Sequence, residues 1–414
     1  MATPLRIDPE QRFTCSQCGR CCHRFDVVVT AGEIDLYRKR GAAAWFRDTH
    51  GVDAGRDPFE PIPGAPHLQR IRKRADGACG FLSFDNRCRI HEELGAAKKP
   101  LTCRVYPYAF HRAPDGVVVT ASFGCPTIVA NTGTPIASGE TRISVESLGK
   151  EWLDAYRSTA RARELVSGRS IDARTARVLR ENLLAMLKRD SDDIRSNIAR
   201  IAQTLDDLTR SRVVALGDEQ FAEYVALTLP HAARQADAPA IPRPGAIGRL
   251  LQYGFLYLVC ATRETIEHRG RSPWQHRLAS LHMLLHFHGL ASRLGRVNVR
   301  ALKHRSADIN APAIRPIVFH YLRSTIETLG ANDRPLVDDL AIAVSYLNAA
   351  CGLAVMNADA AGIDVDRDVF VTAVTEASDV SHVRNTLVDR VLKRFSGGSE
   401  ALWFLTRTPT TGSS

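Results

Sequence analysis

Eight of the ten cysteines lie within the first 125 residues of the 414-residue chain, and their thiols are the side chains best suited to chemistry. Thiolates are soft ligands that bind zinc and iron–sulfur clusters. Because residues 1 to 8 carry no apolar core of the secretory type, we expect a cytoplasmic protein, where clustered cysteines favour metal ligation over disulfides. The predicted metal ligands are Cys15, Cys18, Cys21, Cys22, Cys79, Cys88, Cys103 and Cys125.

The strongest motif is the run Cys15-Ser-Gln-Cys18-Gly-Arg-Cys21-Cys22. A Cys-x-x-Cys pair places two thiolates about one metal around a tight turn, and Gly19 supplies the backbone freedom for such a turn. Neighbouring side chains of an extended chain point in different directions. We therefore expect Cys21 to complete a site with Cys15 and Cys18, and Cys22 to point to a second centre with some of the later cysteines.

The type of metal stays open at this point, because zinc and iron–sulfur clusters both accept four thiolates. The first three cysteines have the spacing of a bacterial ferredoxin run, which favours one or two iron–sulfur clusters over zinc. His23 and His91 flank cysteines and could each replace a thiolate. Arg104, next to Cys103, could donate to a cluster sulfur or bind an anionic cofactor; the alternative is a surface arginine packed over Tyr106.

The secondary structure predicted around these cysteines indicates a small domain of α+β character, which we place at residues 1 to 135. Residues Asp26 to Thr30 predict a strand, and Thr30-Ala-Gly-Glu33 is a capping box that opens a helix toward Gly41. Further strands are predicted at Leu68 to Lys73 and at Val117 to Ser122. Little of this region could form a large apolar core, so a bound metal would contribute much of its stability.

From about Thr141 the pattern becomes helical, and we place an α-helical domain at residues 136 to 414. Apolar residues from Ile194 to Leu208 recur at steps of four and three, which predicts an amphipathic helix. The segment Ala232 to Gly245 is rich in Pro, Ala and Gly and could subdivide the domain. Other helices are predicted at Val145 to Tyr156, Ala246 to Glu267, Trp274 to Leu294, Ile314 to Leu329, Leu336 to Ala354 and Val380 to Phe395. The predicted fold class is α+β, mostly α overall.

The formal net charge is +10, and half of the basic surplus lies in the first 135 residues. Such an even spread is typical of a solvated surface, so we expect no nucleic-acid partner. The longest apolar run, Tyr253 to Ala261, is about half as long as a membrane span requires. No membrane association is expected.

Five short signatures resemble, in their order, the CxxCxxCC cysteine-cluster family, whose domain is described as zinc- or iron-chelating. The similarity covers about residues 11 to 128, and it implies a chelating role for the eight cysteines named above. The signatures are Phe13-Thr-Cys-Ser-Gln-Cys-Gly-Arg-Cys-Cys22, Gly77-Ala-Cys-Gly-Phe-Leu82, Arg87-Cys-Arg-Ile90, Leu101-Thr-Cys-Arg-Val-Tyr-Pro107 and Gly124-Cys-Pro126.

The same family includes bacterial flagellin lysine N-methylases, which are similar in length and also follow the cysteine domain with a helical region. The resemblance therefore implies a protein lysine N-methyltransferase that uses S-adenosylmethionine on a protein such as flagellin. It carries over no catalytic residue. The sequence contains neither a Gly-rich nucleotide-binding fingerprint nor a Cys-x-x-x-Cys-x-x-Cys run. The alternative is a non-catalytic, metal-stapled protein-interaction module.

Overall fold

A computed structural model of the chain describes residues 5–49, 56–62, 65–113, 116–155, 163–189, 193–234, 305–331 and 334–381, together with Leu256 and Val259. Of the described residues 58% are helical and 14% lie in strands, which confirms the predicted α+β class. The chain divides into two compact units. We call them the thiol unit, Arg12–Phe110 with Thr132–Arg157, and the helical unit, Met1–Gln11 with His111–Asn131 and Ser158–Ser414.

Short helices and strands carry the cysteines, and longer helices follow them. The described helices are α1 (Arg20–Arg24), α2 (Ala31–Lys39), α3 (Ala42–Asp48), α4 (Arg89–Leu94), a 3₁₀ helix (Ala96–Lys98), α5 (Leu101–Val105), α6 (Pro126–Ala130), α7 (Gly139–Ala155), α8 (Ala173–Leu187), α9 (Ile194–Thr209), α10 (Ser211–Val214), α11 (Asp218–Arg234), α12 (Arg315–Glu327), α13 (Leu336–Ala361) and α14 (Arg367–Ser381). The described strands are β1 (Leu5–Arg6), β2 (Arg12–Phe13), β3 (Val28–Val29), β4 (Phe59–Ile62), β5 (Ala65–Ile71), β6 (Tyr108–Ala113), β7 (Gly116–Ala121), β8 (Thr134–Pro135), β9 (Arg163–Val166) and β10 (Arg169–Ile171).

In the thiol unit an antiparallel sheet of order β3-β5-β4 supports the segments that carry cysteines. The predicted capping box is present: Thr30 Oγ1 accepts from the Glu33 amide at 3.3 Å, and Glu33 Oε2 accepts from the Thr30 amide at 2.8 Å. The strands predicted on either side of it correspond to β3 and β5. The small core of the unit includes five aromatic side chains: Tyr37, Trp45, Phe46, Phe59 and Phe81.

The helical unit has a larger apolar core, to which α8, α9, α11, α12, α13 and α14 all contribute. The amphipathic seam predicted from Ile194 to Leu208 is α9, and two more predicted helices correspond to α12 and α13. Among the described helices, α13 alone is long and apolar enough to cross a membrane, and 78% of its most apolar window is buried inside the protein. A buried core helix needs the same apolar composition.

Some sequence predictions fall outside the part of the chain that the structure describes. These are the segment after Arg234 that was predicted as a linker, the helices at 246–267 and 274–294 apart from Leu256 and Val259, and the helix at 380–395 beyond its first two residues. The helix predicted from Val145 is confirmed as α7 of the thiol unit.

The N-terminal strand belongs to the helical unit. β1 pairs in parallel with β7, with Leu5 opposite Val117, and Arg6 donates to the Glu327 carbonyl at 2.8 Å. β7 is the strand predicted from Val117 to Ser122. The two units therefore alternate along the sequence. The boundary predicted between residues 135 and 136, which separates the cysteine domain from the α-helical domain, stays a prediction.

A buried polar cluster lies within the helical unit. Arg323 on α12 is 1% exposed and forms an ion pair with Asp8. Arg323 also donates to His320 Nδ1 at 3.2 Å, and His320 Nε2 donates to the Ile128 carbonyl at 3.0 Å. These bonds fit the neutral imidazole, because its Nδ1 must accept. Burial, followed by the Arg323 charge, lowers the pKa of His320 to about 4.

This histidine predicts a pH dependence of stability. Between an unfolded pKa of 6.5 and a folded pKa of about 4, the unfolded chain binds more protons, so stability falls as the pH falls through this window. We expect the advantage of wild type over His320→Gln in free energy of unfolding to shrink by about 2 kcal/mol from pH 7 to pH 4.5. Urea denaturation of both proteins at the two pH values measures this change, and a constant difference would contradict the assignment.

Candidate metal centre

Cys21 and Cys22 lie together on α1, and the turn before this helix depends on Gly19. Gly19 has a left-handed backbone with φ of 70°, which glycine adopts without strain. A Cβ atom at this position would lie 2.6 Å from Asn86 Oδ1 and 3.0 Å from Asn86 Cγ. Gly19 therefore lets the motif pack closely against the loop that precedes Cys88.

The two adjacent sulfurs are close to each other: Cys21 Sγ and Cys22 Sγ are 4.0 Å apart. The expectation that the two cysteine side chains point in different directions assumed an extended or turning backbone. Cys21 and Cys22 lie on a helix instead, so that argument does not apply to them. Consecutive side chains of a helix are about 100° apart, so two neighbouring thiols can reach the same side of the helix. The prediction that Cys21 and Cys22 serve different centres loses its geometric basis.

Backbone and side-chain hydrogen bonds fix Cys79 next to α1. The Cys79 amide donates to the Cys22 carbonyl at 2.8 Å. Lys73 Nζ donates to the same carbonyl at 3.2 Å and to the His23 carbonyl at 3.1 Å. An isolated β-bridge also pairs Lys73 with Cys79. These bonds hold the second cysteine segment beside the first.

Cys103 is positioned by two hydrogen bonds at the start of its short helix α5. Glu33, the capping residue of α2, uses Oε1 to accept from the Leu101 amide at 2.7 Å. Thr102 Oγ1 donates to the Val28 carbonyl at 3.1 Å. Because Leu101 begins α5, the Glu33 carboxylate also lies at the positive end of that helix. Glu33 therefore connects α2 to the helix that carries Cys103.

Arg104, predicted to contact a cofactor or cluster sulfur, is engaged by protein partners. Its Nη1 and Nη2 atoms donate to the Glu151 carboxylate at 2.7 and 2.5 Å, and its Nε donates to the Lys99 carbonyl at 3.0 Å. The bond to Glu151 raises the pKa of Arg104 and lowers that of Glu151. Arg104 thus holds α5 against α7 within the thiol unit, and its cofactor role stays a prediction.

Five thiols lie at the core of the thiol unit or next to a thiol that does, and we call them the inner thiols: Cys21, Cys22, Cys79, Cys88 and Cys103. Cys79 belongs to that core, Cys22, Cys88 and Cys103 pack against it, and Cys21 Sγ lies 4.0 Å from Cys22 Sγ. Burial raises the pKa of Cys79 to about 12 and also raises the pKa values of Cys88 and Cys103. The Cys22 thiol donates to the Cys21 sulfur, which lowers the pKa of Cys21 to about 6 and raises that of Cys22. Most of these thiols therefore hold their protons at neutral pH in the absence of a cation.

Two lysines act on the inner thiols: Lys73, whose amino group donates to the Cys22 carbonyl, and Lys99. Burial disfavours the charge of Lys99, but negative charge on Cys103, Cys88, Cys21 and Cys22 outweighs this effect and raises the pKa of the amine. Lys99 in turn opposes the burial-driven increase in the pKa values of Cys88 and Cys103. Neither Lys99 nor Glu33 was identified from the sequence as part of the site.

The inner thiols fit a zinc or iron site in their chemistry, and one pair of them fits it in spacing. A tetrahedral zinc ion with Zn–S bonds of about 2.3 Å holds its sulfurs about 3.8 Å apart, close to the Cys21–Cys22 separation of 4.0 Å. Among the residues that the structure describes, no three His, Cys, Asp or Glu side chains converge closely enough to hold an ion. Binding would therefore require rotation of cysteine side chains toward a common point.

The remaining predicted ligands are not inner thiols. Cys15 and Cys18 are exposed, and we call them the outer thiols. Cys125 is buried and precedes α6 in the helical unit. His23 and His91, proposed as substitutes for a thiolate, are both exposed. Cys351 is buried in the apolar core on α13, as expected for a small core residue, while Cys260 lies outside the described residues.

Comparison with known families supports the metal interpretation of this region. Residues 14–125 match the family model described as "CxxCxxCC: Putative zinc- or iron-chelating domain". The match begins just before Cys15 and ends at Cys125, so it includes the outer thiols, the inner thiols and the cysteine of the helical unit. No curated protein and no solved structure matches the chain.

Proposed function

We propose that the thiol unit is a metal-binding module that holds zinc or iron through its inner thiols. The observation that carries this proposal is the packing of thiols from separate segments at one small core: Cys79 belongs to it, and Cys22, Cys88 and Cys103 pack against it. Cys21 lies beside Cys22, with 4.0 Å between the two sulfurs. The family match supports a zinc or iron ion as the ligand.

The residues of the chain prepare this site in two ways. Backbone hydrogen bonds hold Cys22 beside Cys79, and Glu33 holds the helix of Cys103, so few degrees of freedom remain to be fixed. The raised pKa values of Cys79, Cys88 and Cys103 mean that ligation must release protons. A bound metal would supply the positive charge that replaces them, and its affinity would rise with pH.

The number of thiols bears on the type of centre. Five inner thiols exceed the four ligands of one tetrahedral ion or one cubane cluster, so one thiol is spare unless a second centre recruits the outer thiols. The ferredoxin-like spacing of Cys15, Cys18 and Cys21 supports an iron–sulfur cluster, and the thiolate set itself suits zinc equally. The roles of Cys15, Cys18 and Cys125 as ligands remain predictions.

Metal and sulfide analysis of protein purified without oxygen tests the proposal. We expect zinc, or iron with acid-labile sulfide and visible absorption, at a stoichiometry of at least one centre per chain. Cys103→Ser should lose the metal, whereas Cys351→Ser, which changes a cysteine buried in the helical core, should keep it. Metal-free protein in which every thiol of the thiol unit reacts with an alkylating agent would contradict the proposal.

Two finer functions rest on the sequence resemblance and composition rather than on contacts of the described residues. Lysine N-methylation with S-adenosylmethionine, on flagellin or another protein, is the enzyme hypothesis. A non-catalytic module that recognises a partner through the helical unit is its rival. Both are compatible with a metal in the thiol unit, and both remain predictions.

A further inference from the structure

Lys73 lies opposite Cys79 in the short hairpin that carries this cysteine. An isolated antiparallel β-bridge pairs the two residues, and the Arg74 amide closes the turn between them by donating to the Ala78 carbonyl at 2.8 Å. Residues directly opposite each other in an antiparallel pair project to the same face, with Cβ atoms about 4.5–5.5 Å apart. The side chains of Lys73 and Cys79 therefore leave the hairpin side by side.

The ammonium group of Lys73 reaches from this hairpin to helix α1. Its Nζ atom donates to the Cys22 carbonyl at 3.2 Å and to the His23 carbonyl at 3.1 Å. Both carbonyls belong to the last turn of α1, where unsatisfied carbonyl oxygens favour a positive charge. Hydrogen bonds from a charged donor are stronger than those from a neutral donor. Lys73 therefore joins α1 to the hairpin through two charge-assisted bonds.

The Cys22 carbonyl is the point at which the two segments meet. It accepts from the Cys79 amide at 2.8 Å as well as from Lys73 Nζ, and a carbonyl oxygen has lone pairs for both bonds. The Cys22 side chain packs against the core to which Cys79 belongs. The backbones of Cys22 and Cys79 are thus held together by bonds that use neither thiol.

We infer that Cys22 and Cys79 bind the same metal ion, and that Lys73 is the positioning residue that holds their two segments together for it. This inference rests on the proposed metal-binding function and names two of its ligands. Without the ammonium group, only the bond from the Cys79 amide would remain of the three described above. Metal binding would then also have to order the end of α1, and the entropy lost in doing so would lower the affinity.

Competition titrations of the metal-depleted full chain with zinc and cobalt(II), against a chromophoric chelator, test the inference. Outer-shell substitutions at metal sites weaken affinity by about 10- to 100-fold, and we expect a loss in this range for Lys73→Met. Lys39→Met provides a matched control, because it removes an exposed lysine of the same unit, and it should bind metal like wild type.

A double variant separates positioning from a general loss of stability. If Lys73 acts by holding Cys22 in place for the ion, Lys73→Met should cost little further affinity once Cys22→Ser has removed that ligand. A general loss of stability would instead lower the affinity equally in both backgrounds. The thiolate-to-cobalt absorption per bound ion should also fall in Cys22→Ser and in Cys79→Ser, because each variant removes one thiolate from the ion.

The outcomes distinguish this inference from the proposed function. Wild-type protein that binds neither metal overturns both. If wild type binds metal, unchanged affinity in Lys73→Met overturns the inference alone, as does an equal loss in Lys39→Met or in the Cys22→Ser background. Unchanged cobalt absorption in Cys22→Ser or in Cys79→Ser overturns the shared ion. If Lys73→Met does not fold, Lys73→Gln replaces it, with the same expected loss and the same contradicting results.

Discussion

Removal of the metal with a chelator is expected to make the thiol unit sensitive to protease while the helical unit stays resistant. The thiol unit has a small core. Structural zinc sites contribute on the order of 10 kcal/mol or more of binding free energy, which in a small domain becomes folding free energy. The helical unit has its own large apolar core and does not need the metal. Limited proteolysis with mass spectrometry of the fragments, before and after chelation, measures the effect.

Single cysteine variants refine this expectation. Cys103→Ser should reproduce the protease sensitivity of the chelated protein, because it removes an inner thiol. Cys18→Ser should have a smaller effect, since Cys18 is exposed and is not one of the inner thiols. Wild-type protease resistance of metal-depleted Cys103→Ser would show that the metal does not hold the unit together. Equal protease sensitivity of both variants would instead indicate that Cys18 is a metal ligand as well.

The local features of the fold were predictable from the sequence because neighbouring residues determine them. The capping box of Thr30 and Glu33 is present, and the apolar repeat from Ile194 to Leu208 forms one amphipathic helix. The assignment of β1 to the helical unit could not be read from the sequence, since it depends on pairing between residues more than one hundred positions apart. Such non-local pairing leaves no local periodic signal.

The zinc- or iron-chelating character of the region was predictable from the sequence, but not the arrangement of its thiols. Spacing identified the cysteines as a cluster, and the family match to residues 14–125 agrees with it. The grouping of Cys21 with Cys22 depends on α1 being helical, whereas the motif alone suggested a turn. Lys99 gave no signal, because an isolated lysine in a sequence does not reveal that it is half-buried.

The buried ion pair of Arg323 and Asp8 leads to a second prediction with a large expected effect, on the stability of the helical unit. Both side chains are buried, Arg323 at 1% and Asp8 at 4% exposure, and a second carboxylate, Glu10 Oε2, lies 3.4 Å from Arg323 Nε. Burial raises the pKa of Asp8, while the charge of Arg323 acts against that increase. The arginine therefore allows a carboxylate to remain ionised inside the unit.

Removal of Arg323 leaves the Asp8 carboxylate buried without its cation, which costs more than the loss of an exposed ion pair. We expect Arg323→Met to lower the free energy of unfolding of the helical unit by about 3–5 kcal/mol. Arg210→Met, which removes a largely exposed pair with Asp207, should cost at most about 1 kcal/mol. Urea denaturation followed by circular dichroism measures both values.

The double variant Asp8→Asn with Arg323→Met separates the charge effect from a loss of packing. If the cost comes from an uncompensated carboxylate, neutralising Asp8 should recover part of it, so the double variant should be more stable than Arg323→Met alone. Adjacent groups that interact in this way give non-additive free energies. Additive losses would show that Arg323 stabilises the helical unit through packing of its side chain on α12, and not through the charge of Asp8.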